Sequence, residues 1–75
     1  MTGRRARRAK KTLADNVVRI RRDRKLSQVD LAGAAHVTQA LVSAVELARA
    51  NPTLESLHRL ALALGVGLAD LFADK

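Results

Sequence analysis

The chain has 75 residues, of which 48% are apolar and only one is aromatic, and it carries a formal net charge of +7 at neutral pH. That length allows one small domain with a thin core of Leu, Ala and Val, to which a partner subunit would add burial. There is no cysteine, which excludes disulfides and thiolate metal sites; no apolar run approaches the ~18 residues of a membrane span, and no apolar segment follows the basic N-terminus as a secretory signal requires. A cytoplasmic, soluble protein with no membrane partner is expected.

The charge is concentrated at one end. Arg4, Arg5, Arg7, Arg8, Lys10 and Lys11 fall within residues 1–11, which contain no acid, while the rest of the chain holds eight basic and seven acidic residues. So dense a block of like charge is expected to form a flexible arm that orders on a polyanion. A solubilising tail is the alternative. With only Ala6 and Ala9 interleaved, a membrane-surface helix is a weak third reading.

From residue 12 to residue 75 one domain is expected. Thr12-Leu13-Ala14-Asp15 fits a capping box with Asp in place of Glu, opening a first helix to about Lys25. In it Leu13, Val17 and Ile20 share one face. Ser27-Gln28-Val29-Asp30 is a second cap signal, for a helix of about Gln28–Ala35 that buries Leu31 and Ala32. Gly33 and Ala34 would let a neighbouring helix approach closely. His36 breaks the pattern, and Thr38 caps a third helix from Gln39 to about Leu47, with Val42 and Val45 inward and Leu41 near the edge. Asn51-Pro52 marks a loop. Thr53 caps a fourth helix in which Leu54, Leu57, Leu60, Ala61 and Leu64 keep the helical period, and Gly65 is placed to end it in the left-handed conformation. Leu68 to about Ala73 offers a fifth, with Leu68, Leu71 and Phe72 on one side. The fold expected is all-α, with five short helices.

Arg21, Leu26-Ser27-Gln28-x-x-Leu31-Ala32, Val37-Thr38-Gln39, Ser43-x-Val45-Glu46, Asn51-Pro52-Thr53-Leu54 and Ala63-Leu64-Gly65-Val66 together resemble the XRE-type helix-turn-helix family, which includes the phage lambda-type repressors and Cro proteins. The resemblance covers roughly Leu13 to Phe72. It implies a five-helix, lambda-repressor-like DNA-binding domain, commonly dimeric, with the helix-turn-helix at helices 2 and 3. It further implies that Gln28 contacts a phosphate and braces the recognition helix. Thr38, Gln39, Ala40, Ser43 and Ala44 match positions that face base edges and the flanking backbone, and Arg49 and Asn51 match the phosphate-holding loop. Arg21 and Glu46 match a partly buried salt bridge between helices 1 and 3. The side-chain chemistry agrees: a Gln amide pairs with adenine, Ser bonds several edges, and an Ala methyl packs on a thymine methyl. Taken alone, Gln39 reads equally well as an ordinary surface residue, and Arg21 and Glu46 as independent surface charges. The chain departs from the family at His36 and Ala48, where glycine is usual. A left-handed backbone at those places costs about 1 kcal/mol each, unless helix 3 runs on past Ala48.

The leading expectation is a sequence-specific regulator, a repressor or autoregulator, that binds a palindromic operator in double-stranded DNA as a homodimer. Arg4, Arg5, Arg7 and Arg8 would add phosphate or minor-groove contacts, and Leu68, Leu71 and Phe72 would form the dimer patch unless they merely close the monomer core. A restriction-modification controller and the antitoxin partner of a toxin are narrower versions, both suited to a chain without a second, ligand-sensing domain. An adaptor that binds RNA or an acidic protein through the same fold is a competing class. No enzyme is expected, because the serines, histidines and acids are explained by caps and surface positions. No cofactor or small-molecule ligand is expected. A metal is not expected either, since His36 and His58 lie on separate elements without clustered carboxylates.

Overall fold

A single stripe of small aliphatic residues on each helix decides how the chain closes. The computed structural model describes residues 3–74 and contains four α-helices, α1 (Gly3–Asp23), α2 (Gln28–Ala35), α3 (Gln39–Glu46) and α4 (Leu54–Leu64), followed by a 3-10 helix, Leu68–Phe72. Leu13, Val17 and Ile20 of α1, Leu31, Ala32 and Ala35 of α2, Val42 and Val45 of α3, and Leu60, Ala61 and Leu64 of α4 form one continuous core with Leu71. Small residues at Ala32, Ala35 and Ala61 let the helices approach, so α2 packs against both α3 and α4 while α1 covers α3 and the C-terminal turn. Gly33 and Ala34, expected at a close helix approach, instead face solvent.

Three helix starts follow the cap chemistry of the sequence. Ser27 Oγ accepts from the Asp30 amide at 2.9 Å and Asp30 Oδ2 accepts from the Ser27 amide at 3.0 Å, a complete capping box. Thr38 and Thr53 cap α3 and α4 through the amides of Leu41 and Ser56, each at 3.0 Å. The expected cap at Thr12 is absent, because α1 runs straight through it from Gly3. Asp15 pairs with Lys11 at 2.9 Å on the surface instead of closing a box. The basic segment is therefore not a flexible arm over residues 3–11; its first two residues lie outside the described part. Ala, Arg and Lys are strong helix formers, and extending an existing helix requires no new nucleus. Repulsion between like charges one turn apart opposes this by only a few tenths of a kcal/mol per pair.

The C-terminal element also differs from expectation. It is a short 3-10 helix rather than a fifth α-helix, held by a residue that the periodicity hid. Asn16, buried on α1, donates through Nδ2 to the carbonyls of Leu71 and Ala73, both at 2.9 Å, and its Oδ1 accepts from Arg19 at 3.1 Å. These bonds fix the last turn against α1, and Leu71 is 0% exposed. Leu71 thus closes the monomer core and is removed from the expected dimer patch, leaving half-buried Leu68 and the 40% exposed Phe72. Leu54 of α4, placed by periodicity with the inward residues, points outward.

All four α-helices end in the same way. The amides of Leu26, Val37, Arg49 and Val66 reach back to the carbonyls of Arg21, Ala32, Ala44 and Ala61, and the preceding amide in each case bonds one residue inside. This is the Schellman arrangement, which needs a left-handed residue at the turn. Lys25, His36 and Ala48 supply it at φ 58°, 57° and 58°, and Gly65 at 75°. Only one of the four is glycine. The strain is offset by the paired carbonyls and by Leu26, Val37 and Val66, which follow three of the turns and pack on the core. Helix α3 therefore stops at Glu46 and does not run past Ala48. Ala48→Gly should raise the unfolding free energy by roughly 0.5–1 kcal/mol, read as a higher urea midpoint at unchanged slope; a lower midpoint would show that the Ala48 methyl contributes more than its backbone costs.

Candidate nucleic-acid interface

A charged cluster ties the outer ends of α2 and α3 to each other and to α1. Glu46, the last residue of α3, accepts from Arg21 Nε at 2.6 Å and Arg21 Nη2 at 3.0 Å, while Gln28 Nε2, at the start of α2, donates to Glu46 Oε1 at 2.9 Å. Arg21 Nη1 also donates to the Leu26 carbonyl at 2.9 Å, so the same guanidinium ties down the α1–α2 turn. The Arg21 and Glu46 side chains are only 12% and 6% exposed, and the fork geometry of guanidinium on carboxylate suits such a site. The two are not independent surface charges.

Electrostatics follow the geometry. Burial pushes the Glu46 carboxyl upward, but the hydrogen bonds from Arg21 and Gln28 and the charges of Arg21 and Arg22 outweigh it, so the group sits below its ordinary value. The hydrogen bond to Glu46 raises Arg21 against the opposing effect of burial. Asp30 is held below its usual range by the Ser27 backbone amide and then by the Ser27 hydroxyl, which keeps a carboxylate at the first turn of α2 where the helix dipole favours it.

With its inner side anchored by Val42, Val45 and Glu46, α3 presents the opposite side outward. Thr38, Gln39 and Ala40 are exposed, and Ser43 and Ala44 are half-buried one turn on. Thr38 serves its cap through Oγ1; among the described residues no side-chain hydrogen bond engages Gln39, Ser43 or Arg49. Arg49 and Asn51 lie exposed on the loop that follows α3. The left-handed turn at Ala48 starts that loop. Gln28 is half-buried at the edge of the same face, with its amide nitrogen committed to Glu46. Arg4, Arg5, Arg7 and Arg8 are exposed on the first turns of α1, away from the α2–α3 turn in sequence. His36 and His58 occupy a turn and the outer side of α4.

Two residues near the site escape a reading of the sequence. Arg59 of α4 donates to the His36 carbonyl at 3.2 Å and pairs with Glu55 at 2.8 Å, so α4 steadies the turn between α2 and α3. Val29, next to Gln28, is an exposed apolar side chain that the cap pattern around Ser27 conceals. An Arg four residues after a Glu reads as a surface pair in sequence, and nothing in that spacing points to a turn 23 residues away.

The family pattern described as helix-turn-helix matches residues 18–71, from within α1 to the end of the core. The chain belongs to the XRE-type helix-turn-helix family. Among XRE-type proteins it is similar to an uncharacterized HTH-type transcriptional regulator of Sinorhizobium fredii, 36% identical over 62 residues that cover 83% of this chain and 80% of that protein. It is 33% identical over 64 residues to the immunity repressor protein of Bacillus phage phi105, covering 85% of this chain and 44% of the repressor, so the chain spans less than half of that relative. A hypothetical transcription factor from Neisseria superposes with a TM-score of 0.83 at 34% identity, covering 87% of this chain and 75% of that one. The restriction-modification controller protein of Aeromonas hydrophila gives 0.81 at 27% identity over 84% of this chain and 96% of its own. The XRE-type helix-turn-helix is thus α2 and α3, with Gln28 and Glu46 at its outer ends.

Arg21→Ala should destabilise the fold by about 3 kcal/mol, because it strands the buried Glu46 carboxylate, whereas Arg22→Ala, on the exposed side, should stay within about 0.5 kcal/mol; equal shifts in thermal midpoint would refute the difference. The depressed Glu46 value also fixes a pH dependence. Its stabilisation is complete above the ordinary carboxylate value of 4.5 and is lost as pH falls through the lower folded value. Thermal unfolding followed from neutral pH down to about pH 3 should therefore show the wild type losing stability faster than Glu46→Gln in the acid range; parallel curves would remove the ionised pair as the cause.

Proposed function

We propose that this protein is a sequence-specific, double-stranded DNA-binding transcriptional regulator, a repressor or autoregulator that reads a palindromic operator as a homodimer. The observation that carries the reading is the division of α3: its inner side is locked by Val42, Val45 and the Arg21–Glu46–Gln28 cluster, while Thr38, Gln39 and Ala40 at its start are exposed and Ser43 and Ala44 one turn on are half-buried, none of them part of the core. A rigid helix with an uncommitted first turn fits the major groove, whose width admits one helix and whose edges distinguish all four base pairs. Gln39 is the leading base reader, suited to adenine. Ser43 and Thr38 offer hydroxyls to base edges or backbone, and Ala40 and Ala44 offer methyls to thymine. Arg49 and Asn51 hold phosphate beside them.

In the dimer, Phe72 is the apolar anchor, with Leu68 at its side. A second copy covering that face would set the two α3 helices in successive major grooves about 34 Å apart. The similarity to a restriction-modification controller over nearly that protein's whole length supports a controller-type regulator as the second reading. Both share the same site and the same chemistry.

In vitro selection from random duplex DNA at physiological salt tests the reading. The expected product is a two-fold symmetric site with half-sites one helical turn apart. Gln39→Ala should lose preference at one base pair of each half-site, by about 1–3 kcal/mol, without loss of thermal stability. Enrichment of no duplex at all would end the proposal, and enrichment of unpaired single sites would end its dimeric part.

A further inference from the structure

The face around Phe72 carries opposite charges at its two ends. Arg5 and Arg8 of α1 line a hollow of about 230 Å³ together with Ala9, Thr12, Phe72 and Asp74. Thr12 and Asp74 also line the neighbouring hollow, where the other charged residue is Asp15. Arg5, Arg8, Thr12 and Asp15 follow one another along α1 at helical spacing, so the charge on this face changes sign from the start of the helix inward. Arg5, Arg8 and Asp74 are all exposed, and among the described residues no ion pair engages any of them. Asp15 is already paired with Lys11, which leaves Asp74 as the carboxylate with charge to offer. Phe72 and Ala9 are shared with a third, more apolar hollow that adds Leu13, Pro52 and Leu57. The monomer does little to hold the basic turns in place, since every residue of α1 from Gly3 to Ala9 is exposed, and so short a helical extension gains little stability by itself.

We propose that a second copy of the chain docks on this face in one orientation, with Arg5 and Arg8 of each copy clasping Asp74 of the other across Phe72. This rests on the homodimer reading above and deepens it: Phe72 and Leu68 supply the apolar contact, and the charges set how the copies face each other. An isologous contact places a patch against itself after half a turn. A uniformly basic patch would repel its own copy. A patch with bases at one end and an acid at the other meets opposite charge at both ends, and every pair forms twice. Exposed ion pairs of this kind add little affinity singly; their effect is on register and orientation, because the wrong docking sets like charges together. Burial of Phe72 against the apolar hollow supplies the attraction. The two arginines thereby gain a protein partner instead of a nucleic-acid one.

The test mixes two variants of the whole chain, one with Arg5→Glu and Arg8→Glu, the other with Asp74→Arg. All three positions are exposed, and circular dichroism with thermal unfolding verifies each fold. Sedimentation gives the dimer dissociation constant of each chain alone and of the equimolar mixture, and energy transfer between differently labelled chains reports mixed dimers. Each variant alone sets like charges together at both ends of the contact, so its dissociation constant should rise about tenfold or more. The mixture restores opposite charges at both ends and should form mixed dimers at close to the wild-type constant, which a contact within one chain would not produce. Mixed dimers no tighter than those of the separate variants overturn the clasp. A wild-type dimer that Phe72→Glu dissociates but both charge reversals leave intact overturns the clasp alone and leaves the homodimer reading standing. A wild type that stays monomeric at every concentration, with and without duplex DNA, overturns both. If the double reversal unfolds, Arg5→Gln with Arg8→Gln takes its place, since glutamine preserves helix propensity; it should weaken the dimer several-fold, and an unchanged constant overturns the clasp. Arginine variants that flatten the salt dependence of duplex binding without moving dimerisation assign the two residues to the DNA backbone and overturn it as well.

Discussion

Arg21 links three of the elements that matter, two directly and one through Glu46. Its guanidinium binds the carboxylate that ends α3, the carbonyl of Leu26 in the turn before α2, and, through Glu46, the amide of Gln28 that opens α2. A buried ion pair is not by itself a strong stabiliser, since desolvating both charges offsets most of their attraction. What it supplies is geometry. A hydrophobic contact between Val42 or Val45 and the core tolerates some rotation of α3, whereas two hydrogen bonds at 2.6 and 3.0 Å to a planar fork do not. The orientation of α3, on which any reading of base edges depends, is therefore set by directional bonds at its C-terminal end and by the Thr38 cap at its start. The same carboxylate accepts from Gln28, so α2 and α3 are referred to one point.

The turns show how a short chain holds four helices without much help from glycine. Each Schellman pair satisfies carbonyls that would otherwise be stranded at a helix end, and three of the four apolar residues needed to seal such a turn are present as Leu26, Val37 and Val66. Those residues are visible in the sequence as isolated hydrophobics between helices, yet the left-handed residue before each is a Lys, a His or a Gly. Composition marks Gly65 plainly. It marks His36 and Ala48 only by contrast with a family pattern, and it does not mark Lys25 at all, because lysine has no local reason to take that conformation.

Helices α2, α3 and α4 are legible because hydroxyl caps and small-aliphatic stripes point to the same boundaries. The Arg21–Glu46 pair and the exposed residues at the start of α3 are legible through resemblance, since no spacing rule links positions on different helices. Three things are not legible. The basic segment reads as unfolded because charge repulsion is conspicuous in composition while helix propagation from Leu13 backward is not. Leu71 reads as available to a partner because Asn16 gives no sign that it will bond the backbone of the last turn. Leu54 reads as internal because periodicity fixes a face only to within about a residue at a helix end, and Leu54 is the first residue of α4.

The split character of α3 has a consequence for how such a domain changes over time. Residues that hold the helix (Val42, Val45 and Glu46) and residues that face outward (Gln39, Ala40, Ser43 and Ala44) alternate along eight positions, so the two sets are interleaved in sequence but independent in energy. A mutation in the second set leaves the core, the caps and the buried fork as they were. Under the duplex-DNA reading proposed above, target choice can therefore drift by single steps on a constant scaffold, and a lineage of such proteins can acquire new addresses in a genome without ever passing through an unfolded ancestor.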